Sequence, residues 1–245
     1  MSPRATLAIA DRVLRQLRRD PRTVALLIVI PCLLMVLMRY AFDGQPATFQ
    51  RIGAPLLGLL PFTTMFVVTS IAMLRERTTG TLERLMSMPM AELDLLAGYA
   101  LAFGAVALVQ TVCVAALSLG PLGLDTTRPA AVLVLLALAN ALLGMALGLF
   151  VSAFATSEFQ AVQFMPAVVL PQFLLCGLFV ARDQMAGWLD AISGVLPLTY
   201  AYDALARASR PGDLGARFAV DVAVIVGLTL LALAAGAATM RRRTD

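Results

Sequence analysis

The sequence predicts an all-α integral membrane protein with six membrane-spanning helices. Three observations carry that prediction. The 245 residues are 60% hydrophobic and 14% charged, whereas soluble domains are usually about 45–50% apolar and about 25% charged. The apolar excess comes in blocks near the ~20 residues that a spanning helix needs. Charge collects between the blocks, and all 19 cations are arginine. The length suits one membrane domain better than two soluble ones.

The elements follow in order. Over residues 5–19, Leu7, Ala10, Leu14 and Leu17 recur at helical spacing with Val13 beside them, while Arg12, Arg15 and Arg19 fall on other faces. The pattern predicts an amphipathic helix lying in the inner headgroup layer, a solvated basic tail being the plainer alternative. The stretch is too polar and too long for a cleaved signal peptide. Asp20-Pro21 ends it. Apolar runs follow at 22–41, 54–74, 95–119, 130–153, 159–180 and 216–239. Proline and glycine occur at or inside the first five, which is tolerated where neighbours satisfy the freed carbonyls. Gly144 and Gly148 form a small-xxx-small pair that permits close helix packing. Pro166, Pro171 and Gly177 predict that 159–196 is a broken helix followed by a partly re-entrant outer hairpin, packed against protein. Within it Trp188, Leu189, Ile192, Val195 and Leu196 form an apolar stripe, which predicts a helix seated at the outer interface with Trp188 as its anchor.

With the N-terminus inside, the cytoplasmic segments carry 12 arginines and the outer segments seven. That bias predicts both termini on the cytoplasmic side and an even number of spans. The basic pI is explained by arginines at membrane ends, with no need for nucleic acid.

The chemistry that is missing narrows the function. Without lysine there is no Walker A loop. Without histidine there is no His-based triad or His-ligated metal site. Cys32, Cys113 and Cys176 lie inside apolar runs with no paired spacing, so neither a zinc site nor a disulfide framework is expected. Asp94, Glu158 and Asp221 fall near predicted span ends, which argues against a self-sufficient ion-coupled carrier. The chain itself is expected to bind no cofactor and to catalyse no reaction. What remains is a membrane domain that moves something with energy supplied elsewhere.

One charged stretch, RERTTGTLERL at 75–85, interrupts the second and third spans. Gly80-Thr81 breaks the helix, and Thr81 is placed to cap a short helix, TLERLMSM. Leu82, Leu85 and Met86 form an apolar ridge with Arg84 on the polar side, and Pro89 ends the helix. A ridge with charged flanks suits docking into a cleft on a partner, and methionine adapts to such surfaces.

Those residues resemble the cytoplasmic loop of type-2 ABC exporter permeases. The match runs through Arg75 or Arg77, Glu76, Gly80, Thr81, Glu83, Leu85 and Pro89. RRDPRTVALLIVIP at 18–31 is similar to the family's approach to its first span, and FQAVQFMPAVVLPQFLLCGLF at 159–179 to its fifth. LDAISGVLPLTYAYDAL at 189–205 is similar to the outer return, with Pro197, Leu198, Thr199, Tyr200, Asp203 and Ala204. The chain departs from the pattern at Cys176, where the family often has serine, at 181, where no proline follows, and at Ala206, with arginine one position later. Length and short loops look most like drug exporters of the daunorubicin-resistance kind.

The resemblance implies a half-transporter in a bacterial cytoplasmic membrane, with lipid around it. Residues 1–245 form one permease domain: 1–21 the amphipathic helix, 22–239 six spans, 240–245 a basic cytoplasmic tail. Two permease chains pair, identical or related, and dock two copies of an ATP-binding cassette subunit that holds ATP and Mg. Arg75, Glu76, Arg77, Gly80, Thr81, Glu83, Arg84, Leu85, Met86 and Pro89 are the expected coupling interface. Met35, Phe62, Thr63, Met65, Phe66, Gln163 and Phe164 are candidates for a permissive apolar pathway. Trp188, Pro197, Tyr200 and Asp203 mark the outer hairpin. A lipid or polysaccharide exporter of the same family is an alternative, against which 7% aromatics count. A non-transporting membrane scaffold is another.

Overall fold

A computed structural model describes residues 2–87 and 92–241 of the chain. Proline opens α1 (Pro3–Arg18), α2 (Pro21–Ala41) and α3 (Pro46–Thr78). Its fixed φ suits the first helical position, and its missing N–H has no partner there anyway. Asp20 caps α2: its carboxylate accepts from the Thr23 amide at 3.2 Å and the Thr23 hydroxyl at 2.6 Å. The Thr23 side-chain bond is the main reason that the Asp20 carboxyl titrates below its usual range. The chain continues through α4 (Thr81–Met86), α5 (Glu92–Leu119), α6 (Ala130–Val151), α7 (Glu158–Phe164), α8 (Leu170–Leu175), α9 (Gly187–Ser193), α10 (Pro197–Ser209) and α11 (Gly215–Arg241). No strand occurs among the described residues. The tail beyond Arg241 lies outside them.

Among the described residues five helices are long and apolar enough to cross a membrane: α2, α3, α5, α6 and α11. They agree with five of the six expected spans. The second starts eight residues earlier than its apolar run and carries Arg75 and Arg77 inside the helix. The run expected at 159–180 differs. It is α7, a π-helical turn at Met165–Val169, and α8, and the helix stops at Leu175. Pro166 and Pro171 have no N–H to donate, and a wider turn relieves their clash with the preceding carbonyls. Gly177 then takes φ +103, and a Cβ there would lie 2.9 Å from the Tyr202 ring.

Pro31 leaves the Leu27 carbonyl without its helical partner. The Gln110 side-chain amide on α5 donates to that carbonyl at 2.8 Å and also to the Thr64 hydroxyl on α3. One glutamine thus ties three helices together by answering a proline. Gln110→Leu is expected to cost about 0.6–1.7 kcal/mol, the range of interhelical bonds in membranes. It should cost less in a Pro31→Ala background, where a backbone N–H returns to position 31 and satisfies the Leu27 carbonyl. A double-mutant cycle by unfolding in detergent measures the difference, and full additivity would refute it.

The most extensive helix pair is α3 against α6. Gly144 and Gly148 lie on that seam. A Cβ at Gly144 would fall 2.2 Å from the Phe62 carbonyl oxygen, and one at Gly148 would fall 2.4 Å from that of Phe66. The small-xxx-small pair therefore packs within this chain. Thr69 adds a cross-helix bond to the Met145 carbonyl at 3.2 Å.

α1 is amphipathic as expected, but its apolar stripe does not simply face lipid. Ile9, Ala10 and Val13 are buried. They join Leu82, Leu85, Leu95, Tyr99 and Phe103 in one cluster at the end of the bundle that carries α4. Gly98 admits the helix closely, since a Cβ there would meet Ile9 at 2.6 Å. The amide of Ser2 donates to Asp94 at 2.9 Å, fixing the start of α1 to the start of α5.

Candidate functional site

α3 is 33 residues long, or about 50 Å at ~1.5 Å per residue. That exceeds the ~30 Å hydrocarbon thickness of a bilayer, so charged residues can extend the helix beyond the apolar layer. It ends where the Thr79 hydroxyl donates to the Arg75 carbonyl at 2.7 Å and Gly80 takes φ +68. A glycine in the left-handed region is a common helix stop. α4 follows at once. Thr81 is its first residue, and its hydroxyl lies 2.9 Å from that of Thr79. The Arg84 amide donates to the Gly80 carbonyl at 3.2 Å, which closes the first turn of α4.

Two members of the expected apolar ridge of α4 are covered within the chain. Leu82 is 6% exposed and Leu85 is 7%, both turned into the chain's own core. The surface that the turn presents outward is polar: Thr78, Thr79, Arg84 and Ser87 are exposed. Arg77 is half-buried. Pro89 lies outside the described residues, as do the side chains of Glu83 and Met86.

Glu76 is not on that outer surface either. It is 5% exposed, and both of its oxygens accept from the Arg12 guanidinium, at 3.0 and 2.9 Å. Arg12 also donates to the Tyr99 hydroxyl at 3.4 Å. Burial alone would lower the pKa of Arg12, but the bonds to Glu76 and the charge around it outweigh this, and the net shift is upward. One terminal nitrogen of Arg12 bridges both carboxylate oxygens while the other turns to Tyr99, and such charge-assisted bonds are stronger than neutral ones. Here they join α1, α3 and α5. One residue earlier, Arg75 reaches the other way. Its Nε and terminal nitrogen donate to Glu158 at 2.7 and 3.1 Å, binding α3 to the first residue of α7. Consecutive positions 75 and 76 therefore fasten α3 to two different neighbours. Between α1 and α3 lies a cleft of about 180 Å³, lined by Val13, Gln16, Asp20, Ile71, Glu76 and Phe103 among others.

The candidate pathway residues divide. Met35, Phe62, Met65 and Phe66 are fully buried in the single chain, and Phe62 and Phe66 back onto Gly144 and Gly148. They are packing residues of the α3–α6 seam and its surroundings. Thr63 is half-buried and turns its hydroxyl back to the Leu60 carbonyl at 2.7 Å. Gln163 is exposed and Phe164 half-buried on α7.

At the other end, the outer hairpin is tightly bonded. The Thr199 hydroxyl donates to the Ser193 carbonyl at 2.7 Å, and the Tyr200 hydroxyl to the Gly194 carbonyl at 2.6 Å. Pro197 is the first residue of α10, whose buried face packs on α3, α6 and α11. Trp188 on α9 is 66% exposed, as an interfacial anchor would be. Asp203 lies in a cleft of about 420 Å³ with Arg182, Arg207, Arg210 and Arg217. Burial pushes its carboxyl above the usual range, and those arginines pull against the shift.

Sequence reasoning missed Arg12, Tyr99 and Glu158 as members of the α3–α4 site. Arg12 reads as one of the arginines off the apolar stripe, which does not separate it from Arg15 and Arg19. Tyr99 and Glu158 carried no signal that separates them from ordinary span residues.

A family model described as ABC-2 type transporter matches residues 4–208 of the chain. A stretch of 147 residues, 60% of the chain, is 24% identical to ABC transporter G family member 20 of Dictyostelium discoideum. The match covers 20% of that relative's length.

Proposed function

Because this chain belongs to the ABC-2 type transporter family, we propose that it is the membrane subunit of an exporter that moves small apolar molecules out across a bacterial cytoplasmic membrane. Energy comes from ATP hydrolysed, with Mg, on two cassette subunits docked at the α3–α4 turn. Two permease chains, identical or related, enclose the path. The observation that carries this reading is the construction of the turn. A polar, exposed face at Thr78, Thr79 and Arg84 sits on a helix end bolted to α1 by Glu76 and to α7 by Arg75. A push there moves α1, α3 and α7 together, and α3 carries the push to α6 along the glycine seam.

The reading requires six crossings with both termini inside. In this reading the composite α7–α8 segment makes the fifth crossing, the one the long helices leave out. Its first residue bonds to the end of α3, and its Gln172 accepts from the Leu198 amide at 3.4 Å in the opposite hairpin. Those two contacts support a crossing there. Arg84→Glu tests the docking face without touching the core. In inside-out vesicles holding the permease and its cassette subunit, this change should lower ATP-driven daunorubicin accumulation about tenfold or more, with the chain present at parental level. Each 1.4 kcal/mol of lost docking energy is tenfold in binding. Parental accumulation, or failure of any cassette ATPase to co-purify, would refute the proposal.

A further inference from the structure

A second groove adjoins the Glu76 cleft across Leu17, where α1 ends and α2 enters. It has a volume of about 210 Å³, and its walls include Leu17 and Arg18 of α1, Val24 and Ile28 of α2, and Ala105 and Val109 of α5. Apart from Arg18 these side chains are apolar. Arg18 is exposed and makes no hydrogen bond or ion pair among the described residues. The nearby carboxylates are engaged elsewhere, Asp11 by Arg15 and Asp20 by Thr23. Arg19 and Arg22 follow in sequence and are exposed too. The site therefore pairs a narrow apolar slot with an unanswered cationic rim.

We infer that this groove holds one anionic phospholipid, its acyl chain along α2 and α5 and its phosphate on Arg18. The walls require an apolar occupant, and the rim requires an anionic one. A phospholipid joins the two in the right order, because the rim sits where an amphipathic helix gives way to a span, at the depth of the headgroups. A zwitterionic lipid also brings a phosphate, but its own ammonium offsets that charge, so the cluster of Arg18, Arg19 and Arg22 favours a net anionic headgroup. A second copy of the chain would have to bring both an apolar ridge and a carboxylate to the same place.

The protein supplies a clean reporter, because Trp188 is its single tryptophan and is exposed at the other end. In a Trp188→Phe background, Val109→Trp places a fluorophore on the groove. The full chain is reconstituted in phosphatidylcholine vesicles containing brominated phosphatidylglycerol or, in the same fraction, brominated phosphatidylcholine. The expected result is quenching with about fivefold preference for the anionic lipid, the effect of one arginine at an anionic surface. Arg18→Gln should bring the ratio to about one, Arg18→Lys should keep it, and Ala105→Phe, which fills the slot, should abolish it. A control reporter at Leu230→Trp, on the exposed face of α11, should show no preference. The inference fails if the groove reporter shows no preference, if the control shows the same one, or if Arg18→Gln or Ala105→Phe leaves it unchanged. It also fails if neither lipid quenches, which would mean that a second chain covers the site.

Discussion

Glu76→Ala is expected to lower stability by about 3 kcal/mol and to free α1 from the bundle. Its carboxylate is nearly inaccessible and holds both of its bonds to Arg12. Removing one member of a buried ion pair leaves the other uncompensated, which typically costs about 3–5 kcal/mol. The lower end applies because the Arg12 side chain is a third exposed and can recover some water. The released helix carries Arg15, Arg18 and Arg19, so arginine-directed proteolysis should cut there sooner in the variant. Arg12→Met combined with Glu76→Met removes both charges and should restore most of the stability, since hydrophobic replacement of a whole buried pair is often neutral or better. Transport is expected to separate from stability in that double variant. Two methionines can pack, but they cannot hold α1 and α3 in one direction as directional charge-assisted hydrogen bonds do. Unfolding midpoints in detergent, read beside proteolysis and ATP-driven uptake, decide it. A parental midpoint for Glu76→Ala would mean that the pair contributes nothing.

The limits of the sequence reading share one physical cause. Periodicity shows that a helix has an apolar face, but in a membrane chain lipid and protein can both cover such a face. The stripe of α1 was legible as Leu7, Ala10, Leu14 and Leu17, yet Ile9, Ala10 and Val13 turn out to lie against α5. The ridge of α4 was legible too, and Leu82 and Leu85 point into the same cluster. Phe62 and Phe66 looked suited to an apolar pathway because aromatic side chains suit both a path and a seam. Their partners, Gly144 and Gly148, repeat the same four-residue spacing on α6.

Backbone signals transferred better than side-chain ones. Pro166 and Pro171 mark the broken helix, and Gly80 marks the end of α3, because a missing N–H or a left-handed φ acts locally. Glu76 with Arg12, 64 residues apart, had no local signal. The charge bias treated both as loop and tail residues, whereas the helix continues to Thr78 and draws Glu76 inward.

Gly148→Leu is expected to have the largest effect on folding, with little or no chain recovered in the membrane. Even Gly148→Ala should cost about 3 kcal/mol or more. The first added carbon would stand 2.2 Å from the Thr69 hydroxyl and 2.4 Å from the Phe66 carbonyl oxygen. Ordinary contacts lie near ~3.5 Å or beyond, so α3 and α6 would have to separate by roughly 1 Å. Overpacking in a core usually costs about 1–3 kcal/mol because side chains can move aside. Here the obstacle at Phe66 is backbone, and the Thr69 hydroxyl is held by the Met65 carbonyl at 2.7 Å. Separation would also stretch the Thr69 bond to the Met145 carbonyl. Gly227→Ala is the matched control, since it lies in α11 and a Cβ there meets nothing within 4 Å. Alanine is the better helix former by about 1 kcal/mol, so this change should leave stability unchanged or raised. Opposite signs at 227 and 148 would assign the loss to the seam and not to helix propensity. A Gly148→Ala protein that melts with the parent would show that α3 and α6 are not locked. The push proposed at the α3–α4 turn would then have no rigid path into the bundle.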